Sequence, residues 1–174
     1  MIHLRNASDD HCDSKDSLHD CNSKLMRLKT FTDYSLRLLI FLAARSPRRA
    51  TIAEIAEAFG ISENHLMKVS HVLGKAGVLA NVRGKAGGLE LAMAPREINL
   101  GHVVRITEGA PRLAECFTPG GNCRIARACL LRTMLDDAAN AFYTALDRYT
   151  LEDITRNRTV LSRMLALPRP HRQR

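Results

Sequence analysis

The chain has 174 residues, of which 45% are apolar, enough for one modest hydrophobic core. Its longest apolar stretch, Leu36 to Ala44, is interrupted by Arg37 and too short to span a bilayer. Its polar N-terminus does not have a signal-peptide pattern, so we expect a cytoplasmic protein with no membrane segment. A formal net charge of +8 favours a polyanionic partner, and an odd number of cysteines, five, argues against a disulfide framework.

The first 25 residues carry five acidic and three basic side chains and few apolar ones. This composition predicts a disordered N-terminal extension. The segment contains histidines and cysteines that could bind a metal, but no tight Cys-x-x-Cys or His-x-x-x-His pair. We favour a dispensable tail over a metal-binding one.

From Met26 the apolar pattern becomes helical. Apolar residues recur at steps of three and four between Leu36 and Ala43, which predicts a helix in the core. Thr32 can cap this helix, and it should end before Ser46.

Two short helices joined by a tight turn follow. The segment Thr51 to Glu54 has the capping-box pattern, Gly60 can adopt the left-handed turn conformation, and Ser62 can cap the second helix. The predicted buried stripe of that second helix comprises Leu66, Val69 and Leu73. This arrangement predicts a helix-turn-helix.

A β-hairpin is predicted directly after the second helix. Val78 to Val82 and Leu89 to Ala92 have strand patterns, and the basic, glycine-rich segment 83–88 separates them. No acidic residue occurs between Asn64 and Leu89. The fold class is therefore predicted to be mainly α, a winged helix-turn-helix with a small two-stranded wing and a basic face for double-stranded DNA.

Recognition helices read base edges with their first turns, and nearby cationic side chains bind phosphate. Asn64 is the best candidate for direct readout, because an amide can pair bidentately with adenine. Arg83 and Lys85 on the wing could enter the minor groove or contact phosphate. Each of the basic residues could instead be a solvated surface charge. The predicted DNA-binding residues are Ser62, Asn64, His65, Lys68, Lys75, Arg83 and Lys85.

A short helix from Leu100 to Glu108, ended by Gly109, is predicted before a loop rich in glycine and proline. A long helix should then begin at about Ala126 and carry an apolar stripe. The stripe comprises Leu131, Met134, Leu135, Ala138, Ala141, Phe142, Ala145 and Tyr149. We expect it to pack against the same helix of a second subunit in a two-fold dimer, the alternative being that it covers its own core.

These patterns divide the chain into five parts. The N-terminal extension, 1–25, precedes a DNA-binding domain, 26–108. A cysteine loop, 109–129, leads to the dimerisation helix and C-terminal helical segment, 130–167, and a basic tail, 168–174.

Three cysteines, Cys116, Cys123 and Cys129, lie in the loop with gaps of six and five residues. Three soft ligands can hold an iron–sulfur cluster or a zinc ion and leave one coordination position open. Buried structural cysteines, a structural zinc site and a small redox protein are the alternatives, although a redox carrier does not need a helix-turn-helix. No catalytic motif is present, so we do not expect an enzyme.

Five segments of the chain resemble the NsrR family, the nitric-oxide-sensing repressors among the winged-helix regulators that also include IscR. They are Met26 to Leu28, Phe31 to Arg37, Ser62 to Lys68, Val82 to Gly88 and Cys123 to Cys129.

The resemblance implies a homodimer that represses genes of nitric oxide detoxification. It implies one iron–sulfur cluster per subunit, 4Fe–4S or 2Fe–2S, held by Cys116, Cys123 and Cys129, with Asp33 of the partner subunit at the position of a fourth ligand. Nitric oxide would nitrosylate the cluster and release the operator. An iron-responsive regulator of the same family is the alternative.

Two features bear on the branch of the family. The first cysteine gap, six residues, is slightly longer than in many relatives, so the cluster type does not follow from it. The IscR-like branch carries a histidine ligand in its long helix, and no histidine occurs here between His102 and His171. This difference favours the nitric-oxide branch.

Overall fold

A computed structural model of the chain describes residues 28–84, 87–109, 114, 117, 123–125 and 128–166. The elements follow one another as α1 (Thr30–Arg45), α2 (Ile52–Phe59), α3 (Glu63–Lys75), β1 (Leu79–Val82), β2 (Gly88–Leu91), a 3-10 helix (Pro95–Glu97), α4 (Leu100–Glu108), α5 (Leu130–Leu146), α6 (Leu151–Ile154) and α7 (Arg158–Ala166). This mainly helical architecture with a small wing confirms the predicted fold class. Cys116, Lys85, the extension 1–25 and the tail 168–174 lie outside the described residues.

Helix α1 forms the centre of the hydrophobic core. Leu38, Leu39, Phe41 and Leu42 are buried, and α3, α4 and α7 all pack against this helix. Because four large side chains within five residues are buried, this part of α1 contributes apolar residues to the core on more than one side of the helix. The predicted core helix is confirmed.

The N-terminus of α1 is capped by another helix. Lys29 is the N-cap residue and contributes no side-chain cap. Instead, Oε1 of Glu108, at the end of α4, accepts hydrogen bonds from the Lys29 amide at 2.7 Å and the Thr32 hydroxyl at 2.5 Å. The prediction that Thr32 caps the helix is therefore wrong, because the helix begins at Thr30 and the Thr32 hydroxyl donates to a distant carboxylate instead of accepting from a first-turn amide.

Helices α2 and α3 have the predicted local signals. The Thr51 hydroxyl accepts from the Glu54 amide at 3.2 Å, and the Glu54 carboxylate accepts from the Thr51 amide at 2.8 Å, which completes a capping box. Gly60 is left-handed, with φ 63° and ψ 40°, and the Ser62 hydroxyl accepts from the His65 amide at 3.3 Å. These caps confirm the predicted helix-turn-helix.

Strands β1 and β2 form an antiparallel hairpin in which Leu79 pairs with Leu91 and Val82 with Gly88. Residue 50, just before α2, pairs with the hairpin through the Ala50–Leu89 bridge. The strand bounds agree with the prediction to within one residue. The wing is thereby attached to the start of the helix-turn-helix.

Helix α4 has the predicted bounds, whereas α5 is shorter than predicted. Cys129 is extended, with φ −82° and ψ 108°, so the helix begins at Leu130. It ends at Leu146, and Tyr149 lies beyond it. The chain leaves the helix there because the Tyr149 carbonyl accepts from the Leu100 amide at 3.0 Å and the Asp147 carbonyl accepts from the Asn99 side chain at 2.6 Å.

The last two helices return to α1. Leu151 is fully buried in the core, and Leu165 packs against it. Nε of Arg158 donates to the Ala44 carbonyl in the last turn of α1 at 3.1 Å. We did not predict this packing from the sequence, and the division into a DNA-binding domain, 26–108, and a dimerisation segment, 130–167, stays a prediction.

Candidate nucleic-acid interface and metal centre

Helix α3 presents one polar face to solvent. Its opposite face is anchored in the core by Leu66, Val69 and Leu73, all 0% exposed. Five of the residues predicted to bind DNA lie on the exposed surface of the capped helix, namely Ser62, Asn64, His65, Lys68 and Lys75. A helix so anchored can enter the major groove without losing its own core contacts.

His65 is held in place more firmly than its neighbours. Its Nδ1 lies 3.2 Å from the Ser62 hydroxyl, and its ring lies 5.9 Å, centroid to centroid, from the ring of Tyr34 in α1. Because Tyr34 follows Asp33 in the chain, the first turn of α3 contacts the segment of α1 that carries Asp33.

The wing is fixed at its base. The Leu89 amide donates to the Ala50 carbonyl at 2.7 Å, and the Ala50 amide donates to the Leu89 carbonyl at 3.1 Å. A Cβ at Gly88 would lie 2.9 Å from the Ala50 oxygen, so a larger residue there would separate the two segments.

The carboxylate of the wing, that of Glu90 in β2, is paired with Arg49, which precedes α2. Nε of Arg49 lies 2.7 Å from Oε2 of Glu90. At the other end of the hairpin, Arg83 is exposed next to Gly84, whose φ is 106°. The predicted DNA contact at Arg83 is therefore accessible, while Lys85 lies outside the described residues.

Two of the three loop cysteines are described. Cys123 and Cys129 are partly buried and neither forms a disulfide. Cys129 is the N-cap residue of α5, and its side chain makes no capping hydrogen bond. Between them the Ala128 amide donates to the Ile125 carbonyl at 3.0 Å, which forms a turn.

The loop also contacts the first turn of α5 through an aromatic residue. The Arg132 guanidinium lies 5.8 Å from the centre of the Phe117 ring. Phe117 directly follows Cys116, whose own position lies outside the described residues. Residue 117 is thus close to the helix that Cys129 begins.

Asp33 lies apart from the two described cysteines. It pairs with Arg37 one turn later, through Oδ2 to Nη2 at 2.8 Å and Oδ1 to Nε at 3.0 Å. Within the part of the chain that the structure describes, no three histidine, cysteine or acidic side chains come together as a metal site. Among the described residues of one chain, Asp33 therefore does not form a metal site with Cys123 and Cys129.

A network that we did not predict joins α5 to α4. The Arg105 guanidinium binds Asp147 in two places, at 2.5 and 2.6 Å, and lies 5.0 Å from the centre of the Tyr143 ring. Hydrogen bonding to Arg105 lowers the pKa of Asp147, and burial raises the pKa of Tyr143. Because its partners are about forty residues apart, no local sequence signal marks this network.

The outer surface of α5 carries part of the predicted apolar stripe, although Tyr149, which the prediction included, lies beyond the helix. Ala139 and Tyr143 are the buried residues of this helix and face its own chain. Among the large apolar side chains left exposed are Leu131 at 59% and Met134 at 63%. Exposed apolar residues in one row are typical of an interaction surface.

No helix of the described residues is long and apolar enough to cross a membrane.

The features described above define a winged helix-turn-helix transcriptional regulator. They are a capped outward-facing helix, a left-handed glycine turn and a hairpin with an exposed arginine. The family model Rrf2, described as an iron-dependent transcriptional regulator, matches residues 28–157. The chain belongs to the Rrf2 family.

Named relatives place it further within the family. The HTH-type transcriptional regulator NsrR of Bacillus subtilis is 44% identical over 144 residues, which are 82% of this chain and 99% of that protein. NsrR of Geobacillus kaustophilus is 45% identical over 142 residues, 80% of this chain and 97% of that one. These relatives are regulators, which confirms the prediction that the chain is not an enzyme.

Solved structures show the same fold. IscR of T. potens has a TM-score of 0.61 at 26% identity and covers 76% of this chain and 88% of its own. CymR, the global cysteine regulator of B. subtilis, has a TM-score of 0.58 at 26% identity and covers 76% of this chain and 98% of its own. The predicted resemblance to NsrR and to the group that includes IscR is confirmed.

Proposed function

We propose that this chain is a cytoplasmic repressor that binds operator DNA as an iron–sulfur homodimer and releases it on exposure to nitric oxide. The observation that carries the proposal is the 44% identity to NsrR of B. subtilis over nearly its whole length. The effector and the cluster are what this resemblance implies for the present chain.

The DNA-binding part of the proposal is supported by the exposed face of α3. Asn64 lies in the first turn, from which recognition helices reach base edges, and Ser62 caps that turn. Lys68 and Lys75 on α3 and Arg83 on the wing are exposed and are assigned to phosphates, as is Lys85 from the sequence. His65, held by Ser62 and Tyr34, is assigned to a backbone contact beside them.

The dimer is supported by the exposed stripe on α5. Leu131 and Met134 lie one turn apart on the surface that its own chain leaves uncovered. Pairing of two such helices about a two-fold axis would bury both stripes and hold two α3 helices at a fixed spacing. Two half-sites of an operator then have to match that spacing.

The proposed ligands of the cluster are Cys116, Cys123 and Cys129, with Asp33 of the partner subunit as the fourth. The described cysteines suit this group, because both are outside disulfides and lie on either side of a turn that can bring thiolates to one centre. When bound, the cluster would supply the iron with which nitric oxide reacts.

The residues next to the proposed ligands could couple cluster binding to DNA binding. Cys129 begins the dimer helix, while Asp33 precedes Tyr34, which contacts His65 in α3. In the single chain Asp33 is paired with Arg37, so ligation would have to replace that ion pair. Switching DNA binding from mostly bound to mostly free requires a difference of about 3 to 5 kcal/mol between the two states.

The experiment that tests the proposal is native mass spectrometry of the anaerobically purified protein, titrated with nitric oxide, with operator affinity measured on the same samples. We expect a dimer with iron and sulfide in each subunit, stepwise nitrosylation and a parallel loss of affinity. A dimer that contains zinc, or a cluster that does not react with nitric oxide, would refute it.

Two cysteine variants provide the matched comparison. Cys123→Ala should lose the cluster and the response to nitric oxide, whereas Cys21→Ala, in the N-terminal extension, should retain both. Tight operator binding by Cys123→Ala that is still released by nitric oxide would also contradict the proposal.

An iron-responsive regulator is the second candidate, and the description of the Rrf2 family model as iron-dependent favours it. In that case occupancy of the cluster site would itself report the iron supply. Operator occupancy measured in iron-starved cells without nitric oxide separates the two functions. Retained repression under iron starvation would count against this candidate.

A further inference from the structure

One large apolar side chain lies exposed on the recognition helix. Met67 is 50% exposed, whereas the other large apolar residues of α3 are buried or partly buried. Its backbone carbonyl accepts a hydrogen bond from the Ser70 hydroxyl at 2.9 Å, but this bond does not involve the side chain. The helix therefore holds the backbone of Met67 and leaves its thioether free to contact a partner.

Met67 shares a face of α3 with Asn64, the residue that we assign to base readout. It lies three residues after Asn64 and four before His71, and side chains at these separations are neighbours on a helix. Asn64, Lys68 and His71 are all exposed around it. Any base pair that Asn64 reaches in the major groove would thus have an apolar group next to it.

The C5-methyl of thymine is the apolar group that base pairs present in the major groove. The methionine side chain is flexible and polarizable, so it can pack against a methyl group in more than one orientation. We propose that Met67 is a specificity-determining residue that contacts a thymine methyl beside the base read by Asn64. This inference rests on the proposed operator binding by α3 and adds a second, apolar element of readout.

The test uses a duplex that the full-length, cluster-loaded protein has selected from a randomised pool. Each thymine of a half-site is replaced in turn by deoxyuridine, which removes the methyl group and keeps base pairing. For the wild-type protein we expect one position at which the replacement weakens binding about fourfold per half-site, as burial of one methyl-sized group implies.

Variants decide whether Met67 is responsible. Met67→Ala should bind the thymine and deoxyuridine duplexes equally, and Met67→Leu should restore the difference. Lys68→Ala should weaken binding to both duplexes by the same factor, because a phosphate contact carries no sequence information. The two duplexes differ in a single methyl group, so a general loss of stability would not mimic this pattern.

Two results would overturn the inference: no thymine replacement affects the wild-type protein, or the sensitive position is equally sensitive in Met67→Ala. Failure of the proposed operator binding, on which the inference rests, is distinguishable, since the wild-type protein would then select no duplex from the pool.

Discussion

Glu54 shows how one carboxylate fixes the entry to the helix-turn-helix. It accepts from the Thr51 amide at 2.8 Å and lies 2.5 Å from Nη2 of Arg48 and 3.8 Å from Nη1 of Arg45. The Thr51 amide hydrogen bond, followed by the charges of Arg48 and Arg45, lowers the pKa of Glu54 from its ordinary value of 4.5. The carboxylate therefore stabilises the fold in its ionised form.

We predict that Glu54→Gln lowers the free energy of unfolding at pH 7 by about 0.5 kcal/mol, because glutamine keeps the capping hydrogen bonds but removes the negative charge beside Arg48 and the helix N-terminus. Because the pKa of Glu54 is lowered in the folded state, this contribution is complete above its ordinary pKa of 4.5 and is lost as the pH falls through the lowered value. Urea denaturation at a series of pH values should show the two proteins converging in acid. Glu57→Gln, at an exposed position of the same helix, should stay close to the wild type throughout.

At the scale of elements, α4 holds α1 and α5 together. Glu108 at its end caps α1, and Arg105 in its last turns binds Asp147 just beyond α5. Its start is equally close to α5, because a Cβ at Gly101 would overlap the Asp147 carboxylate and lie 2.9 Å from the Asp147 amide nitrogen. Glycine at position 101 is what permits this approach.

We predict that Gly101→Ala destabilises the protein by about 1 to 3 kcal/mol, because the methyl group is forced into a filled site. Gly74→Ala is the matched control: the nearest atoms to a Cβ there lie at 3.9 Å, and alanine should stabilise α3 by about 0.5 to 1 kcal/mol. Chemical denaturation of the two variants measures both effects. If the two variants were equally stable, Asp147 would move aside at little energetic cost, and the prediction for Gly101→Ala would be wrong.

The elements that could be predicted from the sequence are those whose signals are local. The capping box at Thr51, the left-handed Gly60 and the cap at Ser62 lie within a few residues of the groups they satisfy. The cap of α1 could not be predicted, because Glu108 is 76 residues from Thr32. Thr32 lies close in the sequence and has a side chain that can cap a helix, so local patterns assign the cap of α1 to Thr32, which is wrong.

The candidate site divides in the same way. The exposed face of α3 followed from helical periodicity, which requires only the sequence of that helix. Arg105 and Asp147 were missed because their pairing depends on the packing of α4 against the end of α5. The pairing of Asp33 with Arg37 has a local spacing of four residues, so charge patterning on α1 could have found it.

At the scale of the whole molecule, the exposed stripe on α5 is the surface through which we propose that two subunits pair. We predict that Met134→Glu, which places a charge at a residue 63% exposed in the single chain, converts the dimer to a monomer. Loss of the second half-site contact should lower operator affinity by about 100-fold or more. Sedimentation analysis and fluorescence anisotropy on the same sample measure both.

Val160→Glu serves as the control for a charge on an exposed apolar residue. Val160 is 50% exposed on α7, which the proposed dimer surface does not include. This variant should sediment as a dimer and bind the operator normally. A dimeric Met134→Glu protein, or a monomeric Val160→Glu protein, would place the subunit contact elsewhere.

The packing of the last helices on α1 also bears on how the protein is made. A hydrogen bond between Arg158 and Ala44 spans 114 residues, and Leu151 fills the core beside α1. On the ribosome α1 and α3 emerge early, but the core that supports them is complete only when α6 and α7 have left the exit tunnel. We expect a chain interrupted before Leu151 to contain α3, the proposed recognition helix, without a stable core. A prematurely terminated product would then be degraded and would not compete for operators.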